Sequence, residues 1–219
     1  MPSKVVRICY FGDSITYGLG HDQKGVDMTR RWTALVDEAL KKYESGGLFV
    51  YSLNLGENGN TTRNGLERLP EAYAFKPDLV TVQFGMNDCN YWFSDGGLPR
   101  VNPVSFKFNL KELIEKLFAA KVQKVLLSTN HLIPVEKMML NNKSYNENNR
   151  FYNQIIREIA KDTGVTLCDM ESLLADSINN RALFLDENGR WLHLSSLGNQ
   201  RYAEAILPFI EKELMEIVG

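Results

Sequence analysis

The chain is short of the features that mark several large classes of protein. It has three cysteines, Cys9, Cys89 and Cys168, scattered and odd in number. Such a set excludes a disulfide framework and fits reduced thiols in a reducing compartment. No Cys-x-x-Cys pair and no His/Cys cluster at zinc spacing occurs, so no metal is expected. No apolar run nears the roughly 20 residues that span a bilayer, which argues against membrane insertion. Neither sign of charge dominates: 25 Lys and Arg stand against 27 Asp and Glu, for a net charge of −2. A global pull toward nucleic acid or an anionic membrane is therefore absent. The phosphate-cradling glycine patterns are incomplete. Gly18-Leu19-Gly20 lacks its third glycine and no Walker lysine follows Gly12, so no nucleotide cofactor is expected. Histidine is scarce too. His21, His131 and His193 are the only candidates for an imidazole base.

What is present is an alternation of strand and helix patterns. Short apolar, β-rich runs cover Val5–Phe11, Leu48–Leu53, Leu79–Phe84, Lys124–Thr129 and Val165–Cys168. They lack strict in–out alternation, as strands buried on both faces do. Between them lie amphipathic stretches at Trp32–Tyr43, Asn64–Phe75, Ser105–Ala120 and Ser144–Asp162. A last helix is predicted from about Ser196 to Val218, kinked at Pro208. This alternation predicts an α/β fold, a parallel sheet with helices on both faces. No repeat or Pro/Gly/Ser linker divides the chain, so residues 1–219 read as a single domain. The opening residues lack a signal-peptide pattern and read as the first strand, which predicts a cytoplasmic protein.

Ligands of such sheets bind beyond the carboxyl ends of the strands. Four polar blocks fall in that region. Gly12-Asp13-Ser14-Ile15-Thr16 follows the first strand. Asn54 to Thr62, containing Gly59, follows the second. Gly85-Met86-Asn87-Asp88 follows the third. His193-Leu194-Ser195, with Gly198 after it, precedes the last helix.

Taken together, these blocks resemble those of the SGNH, or GDSL-like, hydrolase family, and the resemblance spans about residues 8 to 206. It implies a flavodoxin-like three-layer α/β/α sandwich with a five-stranded parallel sheet. It also implies acyl-ester hydrolysis through an acyl-enzyme, without metal or cofactor, on a small-molecule ester. Ser14 matches the family's nucleophile and His193 its general base. The oxyanion hole falls to the backbone N–H groups of Ser14 and Gly59 and the side-chain amide of Asn87. The chemistry needs each type. A serine hydroxyl needs a neighbouring base, and the charge that develops on the carbonyl oxygen needs preplaced donors.

One position departs from the family. Three residues before the histidine, where an aspartate is usual, stands Arg190. Two repairs are open. The Asp186 carboxylate reaches His193 if Asn188-Gly189 turns the chain back, or the Arg190 main-chain carbonyl accepts the imidazole N–H and leaves a Ser–His dyad.

Plainer readings stand beside these. Ser14 is also a natural helix N-cap, and His131 is a second candidate base. Asp13 and Asp88 are either an acid pair or, as the better reading, anchors for their loops. Cys89 is by default a structural thiol. The connection Asp88–Pro103, with Tyr91, Trp92 and Phe93, is long enough to wall a pocket. Small acyl or carbohydrate esters are the leading substrates. A thioesterase or lysophospholipase is the nearest alternative, and a non-catalytic binding module on the same fold is the rival from another class.

Overall fold

The computed structural model describes residues 4–18, 28–187 and 189–219. His21, Leu19, Gly20 and Asn188 lie outside the described residues. Five strands form one sheet: β1 (Lys4–Gly12), β2 (Leu48–Gly56), β3 (Leu79–Gln83), β4 (Lys124–Ser128) and β5 (Thr166–Cys168). All pairings are parallel, in the order β2-β1-β3-β4-β5. That is the flavodoxin-like order, whose switch point lies between β1 and β3. The helices are α1 (Ser14–Tyr17), α2 (Trp32–Leu40), α3 (Thr62–Phe75), α4 (Pro103–Ala119), α5 (Tyr145–Thr163), α6 (Met170–Leu173) and α7 (Ser196–Val218). α3, α4 and α5 pack side by side in one layer, and α2 packs with α7 in the other.

Burial follows strand position. Every residue of β3 is buried, because helices cover both its faces. β2 is the sheet edge, and its Phe49 and Tyr51 are exposed. Uniform two-sided burial thus holds for the centre of the sheet and not for its rim. Several helix starts differ from the apolar pattern because caps set them. A capping box between Thr61 and Asn64 begins α3 at Thr62, and Ser144 with Glu147 begins α5 at Tyr145. α7 is one helix from Ser196 to Val218 with Pro208 inside it.

Two features carry the fold toward its site. Trp32 packs between Tyr10, edge to face, and Tyr202, at ring-centroid distances of 5.2 Å and 5.0 Å. Its indole N–H donates to the Ile15 carbonyl of α1 at 2.9 Å, and its backbone N–H donates to Asn199 of α7 at 3.0 Å. The chain's first and last helices are thereby fixed to one another. On the other side, α5 turns a row of asparagines inward. Asn146, Asn149 and Asn153 lie one and two turns apart and bond the backbone of Asn130, His131 and Ile133 beyond β4. These amides replace the ladder that the short β5 does not extend, so the buried backbone there is satisfied.

Candidate active site

Ser14 opens α1 directly after β1. Asp13 caps that helix, its carboxylate accepting from Ile15 N–H at 2.9 Å. Ser14 is the first residue of the helix, so its N–H has no partner within it. Gly56 lets α1 lie against β2. A Cβ there would stand 2.1 Å from the Tyr17 nitrogen.

Ser14 Oγ lies 2.9 Å from His193 Nε2, across 179 residues of sequence. The other ring nitrogen, Nδ1, lies 2.6 Å from Glu187 Oε2. Both expected partners for that nitrogen are therefore corrected. Asp186 instead accepts from Gly189 N–H at 2.6 Å, and a carboxylate rather than the Arg190 carbonyl meets the ring. The physical reason is strand alternation. Leu185 N–H donates to the His193 carbonyl and Ser195 N–H to that of Leu183, so the two arms of this turn run antiparallel. Successive side chains of an extended arm point to opposite faces. Glu187 shares the face of Leu185, and Asp186 points away. Gly189, at φ 82°, makes the turn. Hydrogen bonding to His193 holds the Glu187 carboxyl below its ordinary value, against some burial.

The second block carries Gly59 at φ 75°, a conformation glycine adopts without strain. Its loop is held from three sides. Arg68 donates to the Leu55 carbonyl and to Asn60 Oδ1, and Asn87 Nδ2 donates to the Asn60 carbonyl at 3.0 Å. Arg100 Nη1 donates to the Gly59 carbonyl at 2.8 Å while its guanidinium lies 3.8 Å from the Trp92 ring centroid. Arg100 was not legible as a site residue. Its contact with Gly59 crosses 41 residues and belongs to no motif. Arg100→Ala is expected to lower kcat about tenfold on a small ester, with KM moving less, because the loop loses its clamp. Steady-state kinetics check this. Arg100→Lys should not rescue, since an ammonium cannot stack and donate in the same plane.

A cleft of about 230 Å³ joins these parts, lined by Ser14, Gly59, Asn87 and His193. Asn58, Asn90 and Trp92 form one wall, with Ile133, Lys137, Tyr145, Arg190 and Leu192 completing it. The Asp88–Pro103 connection does reach the cleft, through Asn90 and Trp92. Beyond β4, sequence reasoning singled out His131 and missed Ile133, Lys137 and, at the start of α5, Tyr145. The length of that segment was the available signal.

The buried acids serve the loops. Asp88 Oδ1 accepts from both the backbone N–H and the hydroxyl of Thr62. Gln83 joins Asp13 Oδ2 to Asn130. Burial pushes Asp13 up to about 7 and Asp88 up to about 6. His131 is buried with its ring Nε2 3.3 Å from the Leu192 carbonyl, and burial lowers it to about 4. It braces the segment that carries His193 and does not line the cleft. Cys89 is buried, and burial pushes its thiol up, the opposite of activation.

Fold and site together define an α/β hydrolytic architecture, with a serine, histidine and carboxylate converging at the switch point of a parallel sheet. Residues 10–201 match the profile of the GDSL-like Lipase/Acylhydrolase family, and the chain belongs to that family. Among solved structures, it is similar to a mutant of an acetyl-xylooligosaccharide esterase from Geobacillus stearothermophilus. That match has a TM-score of 0.76 and 21% identity, over 95% of this chain and 94% of the other. A lipase/acylhydrolase from Enterococcus faecalis matches with a TM-score of 0.69 and 24% identity, over 95% and 96% of the two chains. At such identity these likenesses are of fold. An arylesterase of Vibrio mimicus is 30% identical over 109 residues, covering 49% of this chain and 46% of the relative. The match thus spans about half the length of that relative. Among the described residues, no helix is long and apolar enough to cross a membrane.

Proposed function

We propose that this chain is a serine ester hydrolase that works through an acyl-enzyme on small acyl or carbohydrate esters. The continuous hydrogen-bonded line from Ser14 Oγ through His193 to Glu187, opening on a cleft, carries this reading. With Glu187 accepting the Nδ1 proton, His193 presents Nε2 as the acceptor for the Ser14 hydroxyl. Ser14 Oγ attacks the ester carbonyl, and His193 takes the proton. The Ser14 and Gly59 N–H groups and the Asn87 amide stabilise the oxyanion. His193 then protonates the leaving alcohol, and water releases the acid by the same steps in reverse roles.

The similarity to an acetyl-xylooligosaccharide esterase supports the carbohydrate part of the proposal. The modest cleft with its asparagines supports a small polar substrate over a long acyl chain. We read residues 1–219 as one hydrolase domain, placed in the cytoplasm on the strength of three unpaired, buried cysteines.

The test is a chain-length series. kcat/KM on p-nitrophenyl esters should fall from acetate through butyrate to octanoate. A rise with length would replace the small-ester reading by the lysophospholipase or thioesterase one. No turnover on any of the three, together with none on an acetylated oligosaccharide, would leave the binding-module reading.

A further inference from the structure

The cleft beside Ser14 carries fixed charge of one sign. Among the described residues, Lys137 and Arg190 line it and no carboxylate does. Neither makes an ion pair among the described residues. Both are exposed. Arg190 spends only its Nε, on the Glu187 carbonyl at 3.3 Å, so the outer nitrogens of its fork remain for a ligand.

Several acids near the cleft have partners of their own. Glu187 sits on the far nitrogen of the His193 ring. Glu136, next to Lys137, accepts from Asn146 at 3.2 Å. Asp186 holds the Gly189 N–H. Asp13 and Asp88 are fully buried behind their loops. Arg100, the other cation near this wall, has Asp95 within 3.9 Å. In a chain with a net charge of −2, two cations on the cleft lining without an ion-pair partner among the described residues, of which Arg190 also lies near the Glu187 carboxylate, make a local positive field that a cleft concentrates.

We propose that this cleft selects esters whose alcohol part bears an anionic group, with a carboxylate as its simplest form, held by Arg190 and Lys137. The inference rests on ester hydrolysis at Ser14. The side of the substrate follows from the mechanism. His193 must hand its proton to the leaving oxygen, so the alcohol lies against the residues flanking the imidazole, and Arg190 and Leu192 are those residues. Arg190 offers a planar pair of donors to an oxyacid, and Lys137 adds a mobile point charge from the segment after β4. The substitution at the family's usual aspartate position then has a use. Glu187 takes over the imidazole, and residue 190 is released to face the substrate.

The experiment compares two acetyl esters of nearly equal shape, 3-carboxyphenyl acetate and 3-carbamoylphenyl acetate. The carbamoyl ester has the better leaving group, so intrinsic reactivity works against the proposal. Wild type should still favour the carboxylate by about tenfold in kcat/KM, and added salt should erode that preference. Lys137→Gln and Arg190→Gln should each cut the ratio about threefold, and the double variant should bring it near one. Equal or reversed preference in wild type, with both esters cleaved in a Ser14-dependent way, overturns charge selection and leaves the hydrolase standing. A preference that survives both substitutions overturns the assignment to these residues. Cleavage of neither ester overturns this inference, and the hydrolase reading falls with it only if p-nitrophenyl acetate and an acetylated oligosaccharide also go uncleaved.

Discussion

Ser14→Ala is expected to lower kcat on p-nitrophenyl acetate by about 10⁴-fold or more, with the fold intact. The hydroxyl is the only atom removed. It lies 2.9 Å from the His193 ring and is not part of the helix cap, which Asp13 supplies. Thermal unfolding should therefore move little, while turnover falls to what the oxyanion donors alone provide. Mass spectrometry adds a second readout. A fluorophosphonate should label wild type once, on Ser14, and leave the variant unlabelled. An alanine variant that hydrolyses at the wild-type rate would remove Ser14 from the chemistry, and with it the acyl-enzyme.

The second large effect is at Glu187. Glu187→Gln keeps the size of the side chain and removes its charge. An amide opposite Nδ1 either donates to the ring, which selects the wrong tautomer, or accepts without stabilising the imidazolium. A loss of about 10²–10⁴-fold in kcat is expected. Asp186→Ala is the control in the same turn. It removes a contact to Gly189 N–H and should cost only a few-fold. The reverse order of effects would return the orienting role to Asp186.

The comparison of these two acids shows where sequence reading stopped. Strand–helix alternation was enough to give the α/β architecture, since buried parallel strands and amphipathic helices have distinct periods. The blocks around Ser14, Gly59 and Asn87 were legible because each follows a strand, that of His193 because it precedes the last helix, and the structure gathers all four at one cleft. The sequence reading weighed the Asp186 carboxylate against the Arg190 carbonyl and left Glu187 out. Which of two adjacent acids faces the ring depends on the register of two antiparallel arms, and Leu185 pairing with His193 is a long-range fact about packing. Arg100 and Lys137 were hidden for a similar reason. Their roles come from contacts across the fold and not from any local pattern. The α5 asparagines were hidden in another way. A polar run on a helix ordinarily faces solvent, and here it faces inward because a short β5 leaves the backbone after β4 to be bonded by side chains.

The 179 residues between nucleophile and base also bear on how the molecule comes into being. A chain that emerges from its N-terminus has its nucleophile turn long before the segment that completes the site. That closing contact is among the most non-local in the fold, and such contacts form late because a long loop must be closed first. The arms around His193 lie outside the sheet and are held by the Phe184–Leu194 bridge with its two backbone hydrogen bonds and by side-chain contacts such as His131 to Leu192 and the Ser195 hydroxyl on the Ala182 carbonyl. Segments held mainly through side chains outside the ladder open before a buried sheet does. The competence of the site therefore reports on the docking of the last thirty or so residues, and the sheet can stand complete while the site is still silent.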